Sequence, residues 1–163
     1  MRIALAATAM FIAAPTMAQE APVLEHVFTI TAELGPMEDL GLTGRGPRRI
    51  IPITGGTVEG ERISGTIRPG AWDWQLTRTD GCTELEADYF IETTDGVVIN
   101  VLNRATICPP AAGEAPGPIY TNPQFEPPLG EFAWLGRNAF VGRLELAQDH
   151  PVPAVRIAIF RVQ

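Results

Sequence analysis

The sequence predicts an all-β protein built as a single antiparallel β-barrel. Short runs alternate between apolar and polar residues, turns rich in glycine and proline separate them, and successive runs form hairpins without a long crossover. The 163 residues include 16 glycines and 15 prolines, which favour turns over long helices. A β-sandwich is the alternative for seven or eight such strands, but the sequential hairpins favour the barrel.

The N-terminus has the features of a signal peptide. Arg2 supplies a positive charge, and residues 3–14 form an apolar run that is too short to cross a bilayer of ~30 Å. A small-residue cleavage site ends at Ala18. We expect residues 1–18 to be removed and residues 19–163 to form one barrel domain in the periplasm or outside the cell. An uncleaved membrane anchor is the alternative.

Charge and composition exclude several classes of function. Removal of residues 1–18 leaves eleven arginines, no lysine and nineteen acidic residues, a net charge of −8. This charge argues against nucleic acid and anionic membrane surfaces as partners. The two histidines, His26 and His150, lack metal-ligand spacing, so we expect no metal. The glycine-rich segments at 44–46 and 55–56 lack the lysine of a phosphate-binding loop, so we expect no other cofactor.

Eight runs are predicted as strands, and two other segments interrupt them. The strands are expected at 24–34, 50–54, 62–68, 72–78, 84–92, 97–107, 140–147 and 154–162. Residues 109–130 are predicted as a long Pro-rich surface loop or lid, and residues 131–137 as a helical turn. Pro52 should place its run at a sheet edge, at the start of a strand or at a bulge. An exposed edge at 50–54 is where a homo-oligomer would form.

The central hairpin predicts a disulfide. Thr94-Asp95-Gly96 forms a three-residue loop, so Thr93 should oppose Val97. Counting outward from that pair places Cys82 opposite Cys108 at a non-hydrogen-bonded site, where side chains approach most closely. Two separate buried thiols are the alternative.

The same register assigns faces to two polar residues. Arg104 falls opposite Glu86, where a cross-strand ion pair is the simplest interpretation. Asn103 falls opposite Ala87 on the apolar face that also carries Tyr89. A polar residue there must be hydrogen-bonded or must serve a pocket, so both Asn103 and Arg104 are candidate site residues.

The segment Trp72-Asp73-Trp74-Gln75 holds the strongest functional signal. In a strand its two tryptophans share one face, and Asp73 and Gln75 share the other. An inward Asp73 would have its pKa raised by burial and would be a candidate acid or base, unless an arginine keeps it charged. If the tryptophans face inward instead, the pocket is aromatic and Asp73 is a surface residue. Tryptophans that only fill the core or its rim are the third interpretation.

Seven short segments occur in an order that resembles a known family. They are RIIPITGG at 49–56, SGT at 64–66, DWQ at 73–75, NR at 103–104, FE at 125–126, WL at 134–135 and FVG at 140–142. The ordered set resembles the small proteins grouped as domain of unknown function 3237, over residues 24–162. The resemblance implies a single antiparallel barrel of calycin-like or allene-oxide-cyclase-like appearance, with no assigned general activity.

The resemblance also marks residues for a binding or catalytic site. These are Asp73, Trp74, Asn103, Arg104, Glu126 and Arg137. The sequence departs from the usual family pattern in its signal peptide, in its cysteine pair, and in Gly136, where an asparagine usually precedes the arginine.

Two functions from different classes are consistent with these residues. The first is an exported barrel that binds one small, partly apolar molecule between Trp74 and Tyr89 as walls. The second is a cofactor-free isomerase, cyclase or lyase, in which Asp73 acts as general acid or base and Arg104 stabilises developing negative charge. A filled barrel without a pocket would exclude both.

Overall fold

The computed structural model describes residues 20–163, so the predicted signal peptide at 1–18 lies outside the described residues. Ten strands and one 3₁₀ helix are present in the described part of the chain. In chain order they are β1 (Leu24–Leu34), β2 (Glu38–Thr43), β3 (Gly46–Glu59), β4 (Gly65–Ile67), β5 (Ala71–Thr77), β6 (Thr83–Thr93), β7 (Val98–Ile107), β8 (Ile119–Glu126), the 3₁₀ helix (Glu131–Arg137), β9 (Phe140–Leu146) and β10 (Ala154–Val162).

These strands form a closed antiparallel barrel, which confirms the predicted fold class. β1 pairs with β10 on one side and with β3 on the other. The remaining pairs join β3 to β5, β5 to β6, and each later strand to the next as far as β10. Eight strands therefore close the barrel. β4 occupies the same position as β5, between β3 and β6, and β2 continues along β3 beyond the end of β1.

Pro52 lies inside β3, so its interpretation as a strand start is wrong. It has no strand partner on one side and lies beside a register shift, as the edge and bulge interpretations predict. The Pro52 carbonyl accepts a hydrogen bond from the Gly35 amide at 2.8 Å, and the proline nitrogen points to the same side. That side faces the connection between β1 and β2, where no ladder donor is needed. The nearby irregularity is a register shift against β1 between Ile53 and Gly55.

The predicted Pro-rich loop at 109–130 is shorter than expected because β8 lies inside it. Residues 119–126 alternate between buried and exposed positions, and Pro123 pairs with Asn103 of β7. The strand was hidden by its proline and by the prolines around it. The predicted helical turn at 131–137 is confirmed as the 3₁₀ helix.

One end of the barrel is filled with apolar side chains. The ring of Phe125 packs edge to face on Phe28 and on Phe140, with centroids 5.6 and 5.1 Å apart. The 3₁₀ helix adds Phe132 and Leu135, which are both buried against this cluster. The filled end excludes water and leaves the opposite end as the place where a ligand could enter.

The predicted disulfide between Cys82 and Cys108 is confirmed. It joins the residue before β6 to the residue after β7, and the observed pairs between these strands follow the predicted register. Glu86 opposes Arg104, and Ala87 opposes Asn103, as expected.

Removal of this disulfide should destabilise the protein by about 3 kcal/mol, because it releases a loop with a sequence separation of 26 residues in the unfolded chain. Urea unfolding with and without dithiothreitol measures the loss. The Cys82→Ser/Cys108→Ser double variant should match the reduced wild type and should not respond to reductant. A wild-type curve that dithiothreitol leaves unchanged would contradict the prediction.

Candidate functional site

A cavity of about 260 Å³ occupies the barrel interior at the end opposite the phenylalanine cluster. On β6 its lining runs from Tyr89 to Leu85, and on β7 from Asn103 to Ile107, towards the end that carries the disulfide. The mouth of the cavity therefore lies beside the covalent link between β6 and β7. This link holds the rim of the mouth in a fixed register.

One wall of the cavity is polar. Asp73 of β5 and Asn103 of β7 are both cross-strand partners of Ala87, which lies between them on β6. Two strand spacings separate their Cα atoms by roughly 10 Å, and the small Ala87 side chain leaves the space between them open. Tyr89 is the next inward residue on β6, and Thr121 joins the same wall from β8.

The facing wall is apolar. It is formed by β1, β3, β9 and β10, on the other side of the barrel from β6 and β7. Its lining side chains are Ala32, Leu34, Ile51, Ile53, Leu144, Leu146, Val155 and Ile157. The cavity is thus mostly apolar, with a small group of polar side chains on the side formed by β5 to β8.

Four buried side-chain atoms of the polar wall have no hydrogen-bond partner within residues 20–163. They are Asp73 Oδ1, Tyr89 Oη, Asn103 Oδ1 and Thr121 Oγ1. A buried polar group without a partner costs roughly 1–3 kcal/mol, and such groups are rare in native proteins. The four residues that carry these atoms all line one cavity, which marks this wall as the candidate site.

Burial alters the acid–base behaviour of two of these groups. Desolvation raises the pKa of the Asp73 carboxyl, and a hydrogen bond from Gln75 Nε2 to Asp73 Oδ2 at 2.7 Å partly offsets this effect. Desolvation also raises the pKa of the Tyr89 hydroxyl, which stays protonated at neutral pH. Tyr89 therefore keeps its hydroxyl proton, and Asp73 is a carboxyl that takes up a proton more readily than usual.

Gly142 makes room for the Thr121 hydroxyl. Gly142 and Thr121 are cross-strand partners on β9 and β8. A Cβ atom at Gly142 would lie 2.1 Å from Thr121 Oγ1 and 2.9 Å from the Ile157 side chain. A glycine is thus required for the threonine to hold its position in the wall.

The structure turns the side chains of Asp73 and Arg104 to opposite faces of the sheet, although both residues are among those that line the cavity. Their predicted catalytic pairing therefore has no support from this geometry and stays a prediction. Arg104 Nε donates a hydrogen bond to Glu86 Oε2 at 2.7 Å on the outer face, with the arginine side chain 49% exposed. Alternation along β7 turns Asn103 inward and Arg104 outward. The same alternation on β5 turns Asp73 inward and leaves Trp74 42% exposed outside, so Trp74 is not a wall of the cavity.

Of the other predicted site residues, some line the cavity and some lie on the outer surface. Tyr89 and Asn103 line the cavity, as the binding hypothesis expects. Glu126 and Arg137 are exposed and do not line it. Sequence reasoning missed Thr121, because β8 was assigned to a loop. It placed Gln75 on the same face as Asp73 without giving it a role.

A larger, open groove of about 950 Å³ lies on the outer face, where Trp74, Arg104 and Tyr120 meet. Its charged side chains largely pair with one another, as Arg104 does with Glu86 and Arg45 does with Glu84 at 3.5 Å. These groups are exposed, and solvent satisfies them. The interior cavity is the better candidate site because its polar atoms have neither partners nor free access to water.

Within the described part of the chain, no group of three or more histidine, cysteine, aspartate or glutamate side chains could hold a metal ion. The polar wall offers one carboxylate, one amide, one phenol and one hydroxyl. Such a set suits hydrogen bonding to an organic molecule.

Fold and site together define a small antiparallel β-barrel that is filled at one end and holds a mostly apolar cavity with a few buried polar groups at the other. The chain belongs to the family described as protein of unknown function (DUF3237), whose model matches residues 22–162. It is 42% identical over 144 residues to a UPF0311 protein of Rhodopseudomonas palustris, an alignment that covers 80% of this chain and 94% of the relative.

Two solved structures share the fold. A conserved protein of unknown function from Rhodopseudomonas palustris is 36% identical with a TM-score of 0.77, over 89% of this chain and 100% of that one. A beta-barrel like protein from Acinetobacter baumannii is 27% identical with a TM-score of 0.76, over 91% of this chain and 100% of that one. These relatives support the barrel and assign no activity.

The buried Asp73 carboxyl should make stability depend on pH. Because burial raises its pKa above the ordinary value of 3.8, its contribution is most favourable below that pH and is lost as the pH rises through the folded-state pKa. Asp73→Asn should therefore gain stability relative to wild type as the pH is raised from acid to neutral. Urea unfolding across this range measures the difference, with exposed Asp95→Asn as the charge-matched control. A difference independent of pH would refute the assignment.

Proposed function

We propose that the barrel binds one small, partly apolar organic molecule in its interior cavity. The observation that carries this proposal is the set of four unpartnered polar atoms on one wall of a cavity whose facing wall is apolar. A ligand with a polar edge would satisfy the first wall, and its apolar body would pack on the second. Each satisfied atom would remove part of the cost of burying it.

The size of the cavity limits the ligand. A volume of about 260 Å³ corresponds to about nine liquid water molecules at ~30 Å³ each, so the ligand would have roughly ten non-hydrogen atoms. An eight-stranded barrel has room for one such molecule. Tyr89 would donate a hydrogen bond, while Asn103 Oδ1 would accept one.

Export remains part of the proposal. The features at residues 1–18 support a cleaved signal peptide. The disulfide supports an oxidising compartment, because such bonds are rare in the cytosol of mesophiles. N-terminal sequencing of the protein from a periplasmic or secreted fraction should then begin at Gln19. A first residue of Met1 would oppose the proposal.

A cofactor-free isomerase, cyclase or lyase is the second candidate, and the state of Asp73 favours it. A buried carboxyl with a raised pKa and a free Oδ1 can take a proton from a bound molecule or return one to it. With Arg104 outside, Tyr89 would stabilise developing negative charge as a hydrogen-bond donor. Loss of turnover in Asp73→Asn with ligand affinity retained would favour this candidate over simple binding.

A variant that fills the cavity should lose the ligand. Ala87→Leu places three more carbon atoms between Asp73 and Asn103, and Ala158→Leu adds the same volume on the outer face of β10. In a thermal-shift screen of small organic molecules, a compound at one hundred times its Kd should stabilise wild type by about 2.7 kcal/mol. We expect Ala158→Leu to keep this gain and Ala87→Leu to lose most of it.

Two outcomes would contradict the binding proposal. One is a broad screen in which no compound stabilises wild type. The other is a compound that stabilises Ala87→Leu as strongly as wild type. Circular dichroism of both leucine variants checks that a lost response does not come from a lost fold.

A further inference from the structure

An arginine outside the predicted site, Arg49, is directed towards the mouth of the cavity by its register position on β3, beyond the residues that line the cavity. Arg49 precedes Ile51 by two residues on β3, and the pairing of β3 with β5 runs without a register shift from Arg48 to Ile53. Because Ile51 lines the cavity, alternation turns Arg49 to the same inner side. Its cross-strand partner on β5 is Gln75, another lining residue.

Arg49 is half-buried, and among residues 20–163 its side chain forms no ion pair. Seven of the eleven arginines in this range do pair with a carboxylate. Asp39 pairs with Arg49 in the ladder on the other side, but its Oδ1 accepts the Gly41 amide at 2.8 Å. In a chain with an excess of acidic residues, a half-buried arginine without a carboxylate indicates a place for an anion from outside the protein.

We propose that the ligand of this cavity is an organic carboxylate, held at the mouth by Arg49 and at depth by the polar wall. The inference rests on the proposed binding function and names the chemical class of the ligand. A planar guanidinium offers a carboxylate two parallel hydrogen bonds, a geometry that an uncharged ester cannot reproduce.

The distance along β3 between Arg49 and the level of Asp73 fits a short amphipathic acid. Arg49 is two residues from Ile51, the cross-strand partner of Asp73, which places it roughly 7 Å along the barrel from the level of Asp73. A molecule with a carboxylate at one end and a hydroxyl at the other end of an apolar ring spans such a distance. The hydroxyl would meet Asp73 and Asn103, and the ring would pack on the apolar wall.

The positions of Arg49 and Asp73 also favour an orientation in which the ligand carboxylate lies at the mouth and its hydroxyl lies at depth. A carboxylate beside Asp73 would face another carboxyl in a poorly solvated place, whereas at the mouth it would face a cation. At the inner end the neutral hydroxyl can donate to Asp73 Oδ1 or Asn103 Oδ1, both of which lack partners.

Matched acids and esters test the proposal. The probes are 4-hydroxybenzoate, 4-hydroxyphenylacetate and 4-hydroxycinnamate with their methyl esters, measured by thermal-shift titration. Wild type should bind at least one acid about tenfold more tightly than its ester. Arg49→Gln should remove this preference and Arg49→Lys should keep part of it. Arg48→Gln, the neighbouring half-buried arginine that lines the outer groove, should leave the preference unchanged.

Salt provides an independent readout. Raising the salt from about 50 mM to about 500 mM should weaken binding of the acids and not of the esters, because only the charged group is screened. Equal affinities of acid and ester in wild type, or a preference that survives Arg49→Gln, would overturn the carboxylate assignment and leave the binding cavity standing. If neither acids nor esters bind, the carboxylate proposal falls, and a wider screen without hits would remove the binding function as well.

Discussion

Closure of the barrel through β1 is the constraint on which the rest of the structure depends. This strand pairs with β10 near the C-terminus and with β3, and so joins the two ends of the sheet. Closure pairs the two end strands of the eight-stranded barrel and fixes an interior wide enough for side chains or one small molecule. Gly56 permits the close approach of β3 to β1, since a Cβ there would lie 2.0 Å from the Thr31 carbonyl oxygen.

Once the barrel is closed, strand alternation decides which chemistry faces the interior. Phenylalanine side chains fill one end, and aliphatic side chains with a few polar ones line the cavity at the other end. Asp73, Asn103 and Thr121 then face an apolar wall across a narrow space. Their unpartnered atoms are costly to bury, which supports the proposal that they recognise a ligand.

Strand alternation and hairpin register in the sequence predicted the barrel. They also predicted part of the candidate site. A tight loop with glycine at its third position fixed the register from Cys82 to Cys108, because a hairpin leaves no freedom once its closing pair is known. That register turned Asn103 inward and Arg104 outward. Alternation along β5 could not predict whether the Asp73 side chain faces inward. The inward face of that strand depends on how the barrel closes. Thr121 was not predicted as a site residue, because the prolines around it led to the assignment of β8 as a loop.

In the proposed binding mode, a ligand contacts the inner face of β5 and β7 and not the outer groove. NMR spectra of the side-chain amides of Gln75 and Asn103 and of the Trp74 indole, recorded during titration with the tightest compound of a binding screen, test it most directly. The amide signals of Gln75 and Asn103 should shift with a common Kd, while the Trp74 indole stays in place. A shifted Trp74 indole with unchanged amides would locate binding outside the barrel and contradict the account.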